Sequence, residues 1–521
     1  IPLLKQWYQR RVHGDQWAGC VMPTPHCRES FQGIPKRMAD AVAASDASAP
    51  LLERSKLSGN GGGESRWWRR GGLLLLDFKE ARSQILFSVP MLLTNLFYYS
   101  IPLVSVMFAG HLGDLSLAGA TLANSWATVS GIALMIGLSG AVETLCGQCY
   151  GARQYRLLGI YLQASCIISF CLSICVSILW FYTEPILILL GQEPDISESA
   201  GLYMKYLIPG LFAYGFINNI LRFLQTQSVV LLLVVCSMFP LVLHVVVAYA
   251  LIHWVGLGFI GAPLACSISF WIAFFVLATY VVLSKKFEQS WKGFEKDCFN
   301  YIITTSKLAL PSAAMVCLEY WAFEVLVILA GLLPNSKKTT SLIAMCTNAE
   351  AVAYVIAYGF SAAASTRVSN ELGADCPDSA RKAMGVSLKL SLVCALLIVS
   401  ALGLGHNIWA GFFSSNPAIM KSFASMTPLL VISMIFDCVQ ISLSGVVRGC
   451  GLQHLAVLVN LLTFYLIGVP AACLLAFKFK LNIKGLWVGL ICGLCCQMVT
   501  LLVVVLRTKW RRLQIPAGSG V

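Results

Sequence analysis

From Ser83 to Leu506 the chain is an almost unbroken succession of apolar runs, each of about 20 residues, separated by short polar breaks. A run of that length crosses the roughly 30 Å hydrocarbon core of a bilayer as a helix. Lipid offers the backbone no hydrogen-bond partners, so only helices and closed barrels survive there, and barrel strands are half as long. The first six runs fall near Gln84–Phe108, Leu117–Val142, Leu157–Phe181, Ala200–Phe223, Val229–Ile252 and Phe259–Leu283. The next six fall near Thr304–Leu329, Leu342–Ala364, Ala383–Gly405, Ser422–Val447, Leu455–Phe477 and Leu486–Leu506. The chain therefore reads as an all-α polytopic membrane protein of about twelve transmembrane helices.

Composition agrees: 58% of residues are hydrophobic and 12% charged, against roughly 25% charged in a soluble domain. The formal net charge of +13 does not describe a nucleic-acid surface, because the bases lie in a tail and in the breaks rather than in a patch with interleaved aromatics. Breaks after even-numbered runs carry Arg153 and Arg156, then Arg222, then Lys285, Lys286, Lys292 and Lys296. Arg367, Arg381 and Lys382, then Arg448, then Arg507, Lys509, Arg511 and Arg512 follow in the second half. The positive-inside rule puts these breaks, and both termini, in the cytoplasm.

Residues 1–82 contain no spanning run and read as a flexible cytoplasmic tail rich in Gly, Ser, Pro and charge. Met38 reads as a start, with residues 1–37 an upstream extension, and Trp67 to Arg70 suit either a membrane-surface anchor or a solvated linker. The expected divisions after the tail are an N-terminal lobe over 83–284, a cytoplasmic linker over 285–303, a C-terminal lobe over 304–507 and a cytoplasmic tail over 508–521. Cys146 and Cys149 form one CxxC, but no second pair completes a metal site, so no metal is expected. The glycine run at Gly403 lacks the strand and the Lys-Ser/Thr of a nucleotide loop, and no zinc-protease or serine-hydrolase motif occurs. Neither a cofactor nor enzymatic chemistry is expected.

The two halves repeat. GLSGAVETLCGQCYGA, Gly137 to Ala152, aligns without gaps on GFSAAASTRVSNELGA, Gly359 to Ala374. Val89 to Leu112 likewise aligns on Leu310 to Leu333, pairing Pro90 with Pro311 and Ala109-Gly110 with Ala330-Gly331. Halves repeated in the same direction and related by an axis along the membrane normal are a transporter signature, with the binding site between them. Pro90 and Pro311 are candidate helix kinks.

Ionisable groups at membrane depth are costly and mark pathways. LEYWAFEVLVILAG, Leu318 to Gly331, holds Glu319 and Glu324, and the repeat sets Tyr98 and Leu103 opposite them, so the helix itself needs no acid there. Asp437 lies deep in the tenth run and is a natural neighbour for Glu319 in a common cavity. Hydrocarbon favours the neutral form of a carboxyl, and a like charge nearby favours it further, which makes such a pair a proton switch. Glu324 is secondary, since five residues turn a helix by about 140° away from Glu319. Glu143 fits the cytoplasmic rim beside Arg153, and Glu350 suits a rim or a site position equally. Intramembrane amides bond helices together or line a polar cavity; Asn95, Asn124 and Asn348, with Tyr320, are the candidate cavity groups.

These motifs resemble the multidrug and toxic compound extrusion family, in its plant detoxification branch. The resemblance rests on ETLCGQCYGARQYRLLGIYLQAS from Glu143, LEYWAFEVLVILAGLLPN from Leu318, STRVSNELGA from Ser365 and LSGVVRGCGLQ from Leu443, and covers about Leu75 to Arg507. It implies twelve helices in two pseudo-symmetric six-helix lobes and outward flux of organic compounds driven by protons, or by sodium in some relatives, without ATP. It also implies that Glu319 and Asp437 carry the coupling proton, with Glu324 the motif's second acid. The sequence departs from the family at Leu232 and Ala357, where prolines are usual, and at Asp375 and Cys376.

The expected function is a monomeric secondary transporter in the vacuolar or plasma membrane. It would export organic, cationic or amphipathic compounds by proton-coupled antiport with alternating access. A signalling receptor or scaffold would want a large soluble domain, and a flippase for lipid-linked substrates would want a basic cavity. The short breaks and intramembrane acids favour neither.

Overall fold

The computed structural model describes residues 78–334, 336–413 and 417–512, and among these residues the regular structure is helical throughout. Twelve helices are long and apolar enough to cross a membrane. In the first half they are α1 Phe78–Gly110, α2 Asp114–Gly151, α3 Tyr155–Phe181, α4 Pro194–Thr226, α5 Leu231–Trp254 and α6 Gly258–Leu283. In the second half they are α7 Ile302–Gly331, α8 Ser336–Gly373, α9 Pro377–Phe413, α10 Pro417–Gly449, α11 Gln453–Lys478 and α12 Asn482–Arg507. The start at Met38, the Trp67–Arg70 anchor and most of the expected tails lie outside the described residues.

α1 begins at Phe78, inside the stretch expected to be tail. Its first turn is held by charge: Glu80 accepts from Gln84 at 3.0 Å and pairs with Arg367 of α8 at 3.0 Å. Other even-numbered breaks are also shorter than hydropathy suggests. Arg222 and Arg448, expected in loops, stand inside α4 and α10 and are 4% and 5% exposed.

One large apolar cluster joins α1 to α6 and takes in Ala309 and Ala313 of α7 and Ala362 and Ala363 of α8, while separate clusters join α7 to α12. The halves meet through α2 and α8, and the two repeated blocks of the sequence face each other there. Gly151 lies against the Asn370 backbone and Gly373 against the Gln148 backbone. In the repeat, Gly151 corresponds to Gly373 and Gln148 to Asn370. The contact is therefore made twice by equivalent residues, as a two-fold axis between the halves requires. Gly137 against Ala313 and Gly359 against Leu92 form a second equivalent pair. Small residues let helix backbones approach closely in lipid, and here they do so along one end of the seam.

Polar groups close the same end. Glu143 is fully buried, 3.2 Å from Arg448 of α10 and 3.9 Å from Arg222 of α4, and it accepts from Gln225 at 3.1 Å. It is not at a rim beside Arg153: the two arginines draw it into the interface. Thr144 donates to the Arg448 carbonyl at 2.7 Å, Gln225 to Thr366 at 2.8 Å, and Asn370 to the Thr226 carbonyl at 3.1 Å.

Gly137→Ala is expected to cost about 1–3 kcal/mol by overpacking, read as a lower unfolding midpoint in detergent. Gly403→Ala, where an added Cβ meets open space, should leave the midpoint unchanged or raise it. Glu143→Ala strands two buried arginines and should cost about 3–5 kcal/mol. By contrast, Glu184→Ala breaks a half-exposed 4.0 Å pair with Lys205 and should cost at most about 1 kcal/mol.

Candidate functional site

Above the sealed end, the halves diverge around a cavity. α1 contributes Asn95, Tyr98, Tyr99, Pro102 and Leu103; α2 contributes Asn124, Thr128, Ile132 and Ile136; α4 contributes Tyr214, Asn218 and Arg222 among others. The second half supplies Tyr320 from α7 and Tyr354, Val355 and Tyr358 from α8. α2 widens into a π turn over Thr128–Ile132, where it lines the cavity, and such turns often mark functional positions. The floor is Arg222, whose guanidinium donates to the Tyr358 hydroxyl and lies 5.3 Å from that ring's centre.

The lining is aromatic and amide. Tyr320 meets Tyr354 edge-on at 6.0 Å, and Tyr354 stacks on Tyr358 at 5.7 Å. The Asn95 side-chain nitrogen, in the cavity wall, has no hydrogen-bond partner among the described residues. No carboxylate lines the space, and its one formal charge, Arg222, is answered by Glu143.

The carboxyls form a second centre inside the C-terminal half, one layer behind. Glu319, Glu350 and Asp437 are 9%, 3% and 2% exposed. Glu319 accepts from Gln440 at 3.3 Å, and Gln440 also donates to Ser444 at 3.3 Å. Glu350 accepts from the Ser433 hydroxyl, which accepts from Trp487 at 3.1 Å. Asp437 stands on α10 one turn from Ser433 and one turn from Gln440, the residues that bond Glu350 and Glu319, and its Oδ1 and the Oε2 of Glu350 have no partner among the described residues. Glu319 and Asp437 thus come together, as the sequence suggests, but not in the central cavity. Successive helical residues are about 100° apart, so Tyr320 faces the cavity while Glu319 faces α10. Arg448 pairs with Glu143 and lies on the same polar stripe of α10 as Asp437 and Gln440.

Other expectations fare differently. Asn95, Asn124 and Tyr320 line the cavity, but Asn348 is exposed and donates to the Ala344 carbonyl of its own helix at 2.8 Å. A free amide one turn from its own carbonyl needs no cavity. Glu324 is half-buried and stands outside both centres. Pro90 and Pro311 lie within continuous helices. Ala357 packs into the α8–α10 seam with Cys438 and Ile441, and Leu232 packs on the core of the first half. Glu350, Tyr354 and Tyr358 recur at every fourth residue of α8, and Ser433, Asp437, Gln440, Ser444 and Arg448 form a polar stripe at helical spacing along α10. Scanning the apolar runs for polar periodicity finds both.

Comparison with known proteins supplies the family. The MatE family model matches residues 90–250 and 311–474, once per half and starting at the paired prolines. Protein DETOXIFICATION 18 of Arabidopsis thaliana is 57% identical over 84% of this chain and 94% of its own length. Protein DETOXIFICATION 16 of the same plant is 42% identical over 83% and 89%. The crystal structure of the eukaryotic MATE transporter AtDTX14 superposes with a TM-score of 0.81 at 37% identity, covering 85% of this chain and 98% of that one. Two matched repeats, twelve spanning helices among the described residues and relatives alike over about nine-tenths of their length make this chain a multi-pass integral membrane protein of the MatE family, a multidrug and toxic compound extrusion transporter of the plant detoxification branch and not an enzyme.

Proposed function

We propose that the protein exports amphipathic organic compounds from the cytoplasm by proton-coupled antiport with alternating access. The observation that carries this reading is the separation of two centres, a tyrosine-lined cavity and a buried carboxyl cluster behind it, with Arg448, the partner of Glu143, on the same stripe of α10 as Asp437. With both termini cytoplasmic, as the loop bases direct, the glycine seam and the Glu143 cluster close the cytoplasmic side. The cavity then faces the vacuole or apoplast. Inter-half hydrogen bonds among the described residues support this, since they gather at the sealed end, with Trp321 to the Val129 carbonyl at 3.0 Å set nearer the middle of the helices.

Tyrosine rings stack on planar substrates and accept a cation on their faces, and asparagines orient polar substituents. Because Glu143 answers Arg222, cations are not expelled. Protons arriving from the acidic side neutralise Glu319 and Asp437. Arg448 is then held by Glu143 alone, which favours the cytoplasmic seal and release of substrate outward. Deprotonation on the cytoplasmic side gives Arg448 a second attraction and loosens the seal. Only such a difference between the two states can drive the cycle. The cavity is complete within one chain, and a monomer suffices.

In proteoliposomes with an imposed pH gradient, Glu319→Gln and Asp437→Asn should each abolish driven transport while the protein stays folded in the membrane. Undiminished transport in both variants refutes the coupling role, and transport that follows a sodium gradient instead assigns the site to sodium. Tyr320→Ala should raise KM roughly 2- to 10-fold, the worth of one aromatic contact, with the pH dependence retained.

A further inference from the structure

A second hollow lies between α3, α4 and α6 and ends at the linker that joins α6 to α7. None of its lining residues belongs to the central cavity. Its wall is aromatic, with Phe216 5.4 Å from Phe274 and stacked on Phe170 at 6.5 Å. The lining has one polar side chain, Gln163, and both ends of that amide are engaged. Its nitrogen donates to the Gly293 carbonyl at 2.8 Å and its oxygen accepts from the Glu295 amide at 2.9 Å. A hollow without free polar groups gives water nothing to bond. Phe170, within the α3 span, is 46% exposed on a surface that in a spanning protein meets hydrocarbon, and Phe294, on the linker at the hollow's end, is 68% exposed. The occupant that fits is an acyl chain.

The linker fixes the other end of the ligand. It is a built surface: Phe287 is buried between Phe223 and Tyr280, and Ser290 donates to Gln227 at 3.1 Å. Lys285, Lys286, Lys292 and Lys296 are exposed on it. Two of its acids are spent internally, since Arg156 takes Glu295 at 2.6 Å and Asp297 at 2.7 Å, leaving Glu288 among the lysines. We propose that this hollow and linker form a binding site for one anionic phospholipid, with an acyl chain against Phe170, Phe216 and Phe274 and the headgroup at the linker lysines.

The test is native mass spectrometry of the full chain in detergent with phosphatidylserine or phosphatidylcholine of identical chains. Each lysine near an anionic surface favours it by about fivefold, so phosphatidylserine should be retained roughly tenfold or more in preference. Lys285→Gln, Lys286→Gln and Lys292→Gln combined should equalise the two lipids. Ala278→Trp, which fills the hollow, should lose both, with an unchanged unfolding midpoint checking its fold. Equal retention by the wild type overturns the proposal. So does a folded Ala278→Trp variant that keeps phosphatidylserine, displacement by glycerophosphoserine lacking chains, or a dimer that excludes lipid.

Discussion

Where Gly151 meets the backbone of Asn370 and Gly373 meets that of Gln148, no side chain separates the two halves. The approach is made twice by equivalent residues, so the repeat in the sequence is also the interface in the structure. Lipid supplies little hydrophobic drive between helices, so such a seam must be held by close packing and by polar bonds, and both are present. Glu143 and its two arginines occupy the same end. The cavity exists because the halves, pinned there, are free to diverge above.

The same economy explains the asymmetry between the halves. A buried carboxyl is expensive, and a helix of this kind folds without one, as Tyr98 opposite Glu319 demonstrates. The first half's buried carboxyl, Glu143, is matched by two arginines, whereas Glu319, Glu350 and Asp437, which have no such partner at hydrogen-bond distance among the described residues, lie together in the second half, where Gln440, Ser433 and Trp487 offset part of the cost. The cavity is spared fixed negative charge and can admit chemically varied compounds through rings and amides.

Much of this was legible in residue order alone, because lipid demands helices of a fixed length and hydropathy reports length directly. The twelve spans and the repeat follow from one-dimensional patterns, as does the presence of Glu319 and Asp437 at membrane depth on α7 and α10. Their ends were less legible. Arg222 and Arg448 look like loop bases until Glu143, far away in sequence, is seen to neutralise them. Which face a residue presents is likewise a matter of neighbours: Glu319 and Tyr320 are adjacent in sequence yet serve different centres, and Asn348 turns out to be outside both. Glu350 became interpretable only when Ser433 and Asp437 were seen across from it.

The π turn at Thr128–Ile132 has a consequence for how this helix could arise and change. A π turn accommodates one residue more than an α turn, and one residue rotates everything beyond it by about 100°. Upstream, α2 offers Asn124 to the cavity; downstream, it offers Gly137 and Gly151 to the other half. The extra residue acts as a phase shift between two faces of one helix. Removing it would leave composition and hydropathy almost untouched while turning the glycines off the seam, so that a single deletion would separate the part of the helix that lines the cavity from the part that meets its twin.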